Sequence, residues 1–125
     1  RRRERGAGPQ VPRPGEGRRV KPVAMAARFG SFREFYPYYL GEHSHATCRR
    51  LHFVGTSLAV AQWLAAALWP EPWLLLTGLV TGYAFAWFGH FFFEKNRPAT
   101  FTHPLYSLIG DFAMARDILA GRIRW

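Results

Sequence analysis

A single cysteine, Cys48, is all that the 125 residues hold, so no disulfide can form within the chain and a disulfide-stapled secreted scaffold is excluded. Acidic residues are scarce: 8 Asp+Glu stand against 17 Lys+Arg, a formal net charge of +9. Residues 1–24 lack Phe, Tyr, Trp and His and hold no continuous apolar run, which excludes the core of a Sec-type signal peptide there. Charged side chains, in turn, are missing from two stretches, 51–69 and 73–93. These gaps divide the chain into unlike parts, and its mean hydropathy of −0.14 averages over them.

Residues 1–24 carry eight basic side chains, from Arg1 to Lys21, against Glu4 and Glu16, so six of the nine net positive charges belong here. With Pro9, Pro12, Pro14 and Pro22 and almost no apolar surface, this stretch cannot offset its ordering entropy and is expected to be a disordered basic tail. The alternative expectation is that translation starts at Met25 and that 1–24 lies upstream of the true start. A basic tail beside a membrane would draw anionic lipid, at about 1 kcal/mol per charge near the surface. The basic character thus belongs to the tail, and no nucleic-acid partner is expected.

The remaining residues, 25–125, read as one domain. Ser31-Phe32-Arg33-Glu34 fits a capping box, so a short helix is expected to start there, to be disturbed by Pro37 and to end at Gly41. Its rings (Phe35, Tyr36, Tyr38, Tyr39) suit a water–bilayer boundary. About 20 apolar residues cross a hydrocarbon core, and 51–69 and 73–93 both qualify as transmembrane helices. Pro70-Glu71-Pro72 makes the turn between them. The alternative, a buried hairpin of a soluble protein, needs more chain to cover it than this domain has. Arg49 and Arg50 precede the first span and Lys95 and Arg97 follow the second, while the turn carries only Glu71. The positive-inside rule then sets both termini in the cytoplasm. Residues 105–119 form an amphipathic helix ending near Gly121, suited to lie on the membrane face or to dock on the hairpin. The expected fold is therefore all-α: a small helical membrane protein with a transmembrane hairpin and flanking interfacial helices.

His52 lies nineteen residues before Glu71 and His90 nineteen after it, so in an antiparallel hairpin the two share one depth. His43 and His45 lie just before the first span, His103 follows the second, and residues 53–89 hold no histidine. Glu94 is one helical turn beyond His90, and Asp111 on the last helix is within reach of the same region. Imidazoles at the edge of a span need a partner or a task. Several neutral imidazoles with a carboxylate are a ligand set for iron, zinc or copper, and two histidines with one carboxylate suit oxygen activation by iron(II). Hydrogen-bonded interface histidines, with no metal, remain the bland alternative. Cys48 reads as a small inert residue rather than a ligand. Lys95 and Arg97 read as lipid-phosphate and topology anchors, although Arg also suits a substrate carboxylate.

Three segments carry a resemblance: 35–56 (FYPYYLGEHSHATCRRLHFVGT), 82–100 (GYAFAWFGHFFFEKNRPAT) and 103–111 (HPLYSLIGD). Together they are similar, over about 30–122, to the DUF962 family, which includes the fungal endoplasmic-reticulum dioxygenase of phytosphingosine breakdown. The resemblance implies an iron(II)-dependent membrane dioxygenase that shortens 2-hydroxy fatty acids by one carbon with O2. It implies His43, His52 and His90 as metal-binding and catalytic residues, with Glu94 at the family's acidic position. His45 and Cys48 stand where asparagine is expected in many relatives, and His103 belongs to a short, bacterial-looking form. Glu94 and His103 are accordingly the further ligand candidates. The implied location is the bacterial inner membrane, or the endoplasmic reticulum of a eukaryote. Two readings from other classes compete: a non-enzymatic membrane adaptor or assembly protein, and a metal- or haem-binding electron carrier.

Overall fold

A computed structural model describes residues 29–125, and every regular element among them is helical. The expected tail and the alternative start at Met25 lie outside the described residues.

Helix α1 (Phe32–Gly41) begins as its cap demands: the Ser31 hydroxyl accepts from the Glu34 amide at 3.3 Å. The Glu34 carboxylate reaches back to the Gly30 amide at 3.0 Å, one residue earlier than in a standard capping box. The helix continues through Pro37 without a break, contrary to the expected disturbance. Pro37 and Arg33, whose carbonyl loses its helical donor, both lie on the exposed face, where the loss is cheapest.

Helix α2 (Ala46–Leu68) starts five residues before the expected span, so Arg49 and Arg50 lie within it. The His45 ring caps it by accepting from the Thr47 amide at 3.2 Å. Apolar content marks where a bilayer would begin, whereas the cap marks where the helix begins. After the Pro70–Pro72 turn, in which the Trp73 indole donates to Glu71 at 3.0 Å, helix α3 (Trp73–Gly89) runs back and passes into a π-helical turn, His90–Glu94. By length and composition, Ala46–Leu68 and Trp73–Glu94 are two helices able to cross a membrane.

Small residues let α2 and α3 touch. A Cβ added at Gly55 would sit 2.6 Å from Cβ of Phe85, and one at Gly78 would sit 2.6 Å from the Trp63 indole nitrogen. The pairs Gly55/Ala59 and Gly78/Gly82 thus face each other as small-xxx-small steps. Helix α4 (Pro104–Leu119), with Pro104 in its first turn, docks on α1 and α2, the second of its two expected placements. Two hydrogen bonds between side chains clamp α1 to α4: Tyr39 donates to Asp111, and Tyr36 donates to Asp117 at 2.8 Å. Phe35, Tyr39, Ala99 and Met114 form a small buried core at this end of the molecule.

Candidate metal centre

The centre is assembled from four parts of the chain. His43 comes from the loop after α1, and His52 from the second turn of α2. His90 opens the π-helical turn, and Asp111 arrives on α4. His43, His52 and His90 are 1%, 4% and 2% exposed. Their rings lie close together, with centroids 4.4, 4.6 and 5.0 Å apart.

Each ring is fixed through its Nδ1. His43 Nδ1 lies 2.6 Å from the Tyr39 carbonyl, which can only accept, so this nitrogen carries the proton. His52 Nδ1 lies 2.8 Å from an Asp111 carboxylate oxygen. His90 Nδ1 lies 2.8 Å from the Asn96 amide oxygen. The Asn96 orientation follows from its own network, because its NH2 donates to the Glu42 carbonyl and to the Glu42 carboxylate, both at 3.0 Å. All three imidazoles are thereby set with Nε2 as a bare acceptor.

The consequence is a conflict that the protein alone leaves open. Nε2 of His43 and Nε2 of His52 are only 3.1 Å apart, and two bare lone pairs at that distance repel. A proton on His52 Nε2, donated to His43, would relieve them, and the charge it buries would be balanced only by the Asp111 carboxylate 2.8 Å from His52 Nδ1. Burial pushes the His43 pKa well below its ordinary value, and the neighbouring His52 and His90 add to the effect. A cation bonded to neutral imidazoles is the other way to relieve the repulsion. A carboxylate, a carbonyl or an amide oxygen on the remaining ring nitrogen is also how metal-binding histidines are usually oriented.

Cys48 joins this group, which the sequence reading did not anticipate. It is fully buried, and one donor atom from each of His43, Cys48, His52 and His90 lies within 4.8 Å of the others. Gly89 makes room for it, since a Cβ there would stand 2.9 Å from Sγ. Glu94 and His103 do not join. The Glu94 carboxylate accepts from the Ser44 hydroxyl at 2.9 Å and from the His45 amide, anchoring the start of α2. His103 bonds Thr102 at 3.0 Å and packs its ring against Phe29 and Phe35. His45 is spent on its cap. Arg49 ties the His43 loop to α2 by donating to the His43 and Ser44 carbonyls at 3.1 and 2.6 Å. Asn96 and the Tyr39 carbonyl were invisible as partners in the sequence, because a π-helical turn and a left-handed Lys95 (φ 55°) are needed to fold Asn96 back onto His90. Burial and the Asp111 charge hold the Tyr39 phenol well above its ordinary pKa, so it stays a donor.

Fold and centre together define a small helical protein with two span-length helices and a buried, histidine-rich site of metal-binding type. A family model described as 2-hydroxy-palmitic acid dioxygenase Mpo1-like matches residues 29–123, and the chain belongs to this family, the DUF962 family of the sequence resemblance. No curated protein and no solved structure matches it.

Proposed function

We propose that the protein is an integral membrane, iron(II)-dependent dioxygenase that shortens 2-hydroxy fatty acids by one carbon. The observation that carries this reading is the convergence of three buried, Nδ1-tethered histidines whose Nε2 atoms have no better common partner than a metal ion. The family description supplies the substrate class. His43, His52 and His90 would hold the metal, which when bound supplies the oxygen chemistry. Cys48 is a further donor within reach.

The chain's own work is orientation. Asp111, the Tyr39 carbonyl and Asn96 keep the three rings aimed inward and fix which nitrogen carries the proton. Tyr39, fully buried with its ring 4.1 Å from that of His43, walls the centre off from water on the α1 side. The reaction balances with one O2, since a 2-hydroxy acid and O2 contain the atoms of the shortened acid, carbon dioxide and water. The apolar flanks of α2 and α3 would lie in lipid, with the centre at the cytoplasmic face and both termini on that side. Support for this orientation is the charge pattern: Arg49, Arg50, Lys95 and Arg97 against a turn with only Glu71.

The test is metal analysis of anaerobically purified protein together with turnover of 2-hydroxypalmitate under O2. Stoichiometric iron with a one-carbon-shorter acid as product is expected. Protein that binds no iron and leaves the acid intact would overturn the reading in favour of a membrane adaptor, and a haem Soret band would favour an electron carrier. Cysteines introduced at Glu71 and Gly121 should label from opposite sides of the membrane; labelling from one side would overturn the topology.

A further inference from the structure

His43, His52 and His90 each have an oxygen fixed on Nδ1, whereas Cys48, the fourth member of the cluster, has no tether of its own. It is fully buried, and its thiol has no hydrogen-bond partner among the described residues. Cys48 stands four residues before His52 on α2, one turn away on the same face. That is the spacing at which two side chains of one helix reach a single metal ion.

The fold holds the sulfur close to the third histidine as well. Gly89, the residue before His90, lies against Cys48: a Cβ there would stand 2.9 Å from Sγ and 3.3 Å from the Cys48 Cα. Glycine at this position lets the end of α3 approach α2 and brings His90 up to the thiol. One donor atom from each of the four side chains lies within 4.8 Å of the others. Bonds of about 2.0–2.1 Å to nitrogen and about 2.3 Å to sulfur hold two such donors on one ion up to about 4.4 Å apart. A small closure of the side chains therefore brings all four onto one ion.

Charge favours the same arrangement. A divalent ion among neutral imidazoles brings two positive charges into a nearly closed site, where an unbalanced charge is costly. Asp111, bonded to His52, supplies one negative charge. Glu94 is turned to the start of α2, where it accepts from Ser44 and the His45 amide. A thiolate on Cys48 supplies the second. Packing against Gly89, by contrast, asks only for a small side chain and gives no reason for sulfur.

We propose that Cys48 is a metal ligand of this centre, which is then a site of three imidazoles and one thiolate. The proposal rests on the metal-binding part of the reading above and is independent of the acid that the protein acts on. On binding, the Cys48 S–H bond breaks, its proton leaves to solvent and a sulfur–metal bond takes its place, with no electron transferred. A thiolate also biases the site toward ions that accept soft donors and against magnesium, calcium and manganese.

The test is cobalt(II) titration of the full, metal-depleted chain in lipid nanodiscs, without oxygen and with a phosphine rather than a thiol as reductant. A thiolate on cobalt gives an intense sulfur-to-metal charge-transfer band in the near ultraviolet, which imidazole and carboxylate do not. Cys48 is the one cysteine of the chain, so the band has a single possible source. One cobalt per chain with this band is expected. Cys48→Ser should still bind cobalt, without the band and more than about tenfold more weakly, since even residues that merely orient a ligand are worth that much. Should Cys48→Ser fail to fold, the wild-type spectrum decides alone. Stoichiometric cobalt without the band would overturn the proposal and leave the three-histidine centre standing. So would a band that persists in His52→Ala at wild-type cobalt affinity, because sulfur and histidine would then serve different ions. Protein that takes up no cobalt would remove the metal centre itself, and the ligand with it. A band in protein that turns over no 2-hydroxy acid under iron and O2 would support the ligand and remove the dioxygenase reading.

Discussion

The two ends of the α2–α3 hairpin solve opposite problems. At the turn end Leu68, Trp69, Leu75 and Leu76 are more than half exposed, although all are large and apolar. Nothing among the described residues covers them, so their favourable environment has to come from outside those residues. At the other end His43, His52 and His90 are almost fully buried, although all are polar, and each is satisfied from within by an oxygen on Nδ1. One end depends on its surroundings and the other on internal hydrogen bonds. A substitution should therefore change metal binding at one end and membrane partition at the other.

The largest effect expected is at the histidines. His43→Ala, His52→Ala and His90→Ala should each lose most bound iron and lower turnover by more than about 100-fold, because even a residue that only orients a ligand is worth 10–100-fold. Leu76→Ala at the far end should leave iron content unchanged. Metal analysis of the purified variants decides the matter, and equal iron loss at both ends would break the comparison. His45→Ala and His103→Ala should be mild, since their rings serve a helix cap and an aromatic cluster.

A step below come the orienting groups. Asp111→Asn and Asn96→Ala should weaken metal binding about 10–100-fold while the chain still folds, read by competition with a chelator. Helical content by circular dichroism separates this from collapse of the α1–α4 clamp. Wild-type affinity in both variants would mean that the ring tethers are incidental.

The hairpin interface comes next. Gly55→Ala should destabilise by about 1–3 kcal/mol, the range for overpacking, because its methyl would meet Phe85 at 2.6 Å. Gly82→Ala is the contrast, since its methyl would stand 3.6 Å from Ala59, an ordinary contact. Thermal melting in detergent should order the two clearly. Equal melting points would show that the helices move apart at little cost.

The sequence discloses the hairpin because its signal is local: two uncharged runs and a Pro-Glu-Pro break need no knowledge of the rest of the chain. It discloses the His52–His90 pairing because antiparallel helices turn equal spacing from Glu71 into equal depth. His43 came from the family resemblance, since no periodicity runs through the loop that carries it. Glu94 lies apart from the histidine cluster for a physical reason. Four residues after His90 would share its face in an α-helix, but the π-helical turn changes that step and sends the carboxylate to the start of α2. Cys48 and Asn96 depended on the same turn and on close approach at Gly89, neither of which leaves a pattern in composition or spacing.

The smallest effect expected lies on the second rung of the α1–α4 clamp, where a charge can be titrated without touching the metal centre. Burial works to raise the Asp117 pKa, but hydrogen bonds from Tyr36, Arg116 and Arg122 outweigh it and hold the carboxyl below its ordinary value. A carboxyl with a lowered folded-state pKa contributes stability above its unfolded pKa, near 3.9, and that contribution is lost as pH falls through the folded value. Both arginine side chains are about two-thirds exposed (67% and 66%), so solvent screening keeps the pair contribution small. Asp117→Asn should therefore cost about 0.5–1 kcal/mol at neutral pH. Melting curves of wild type and variant should stay a constant distance apart from about pH 7 to pH 5 and converge below about pH 4. A gap that persisted at the acid end would assign the contribution of Asp117 to the shape of its hydrogen bonds rather than to its charge.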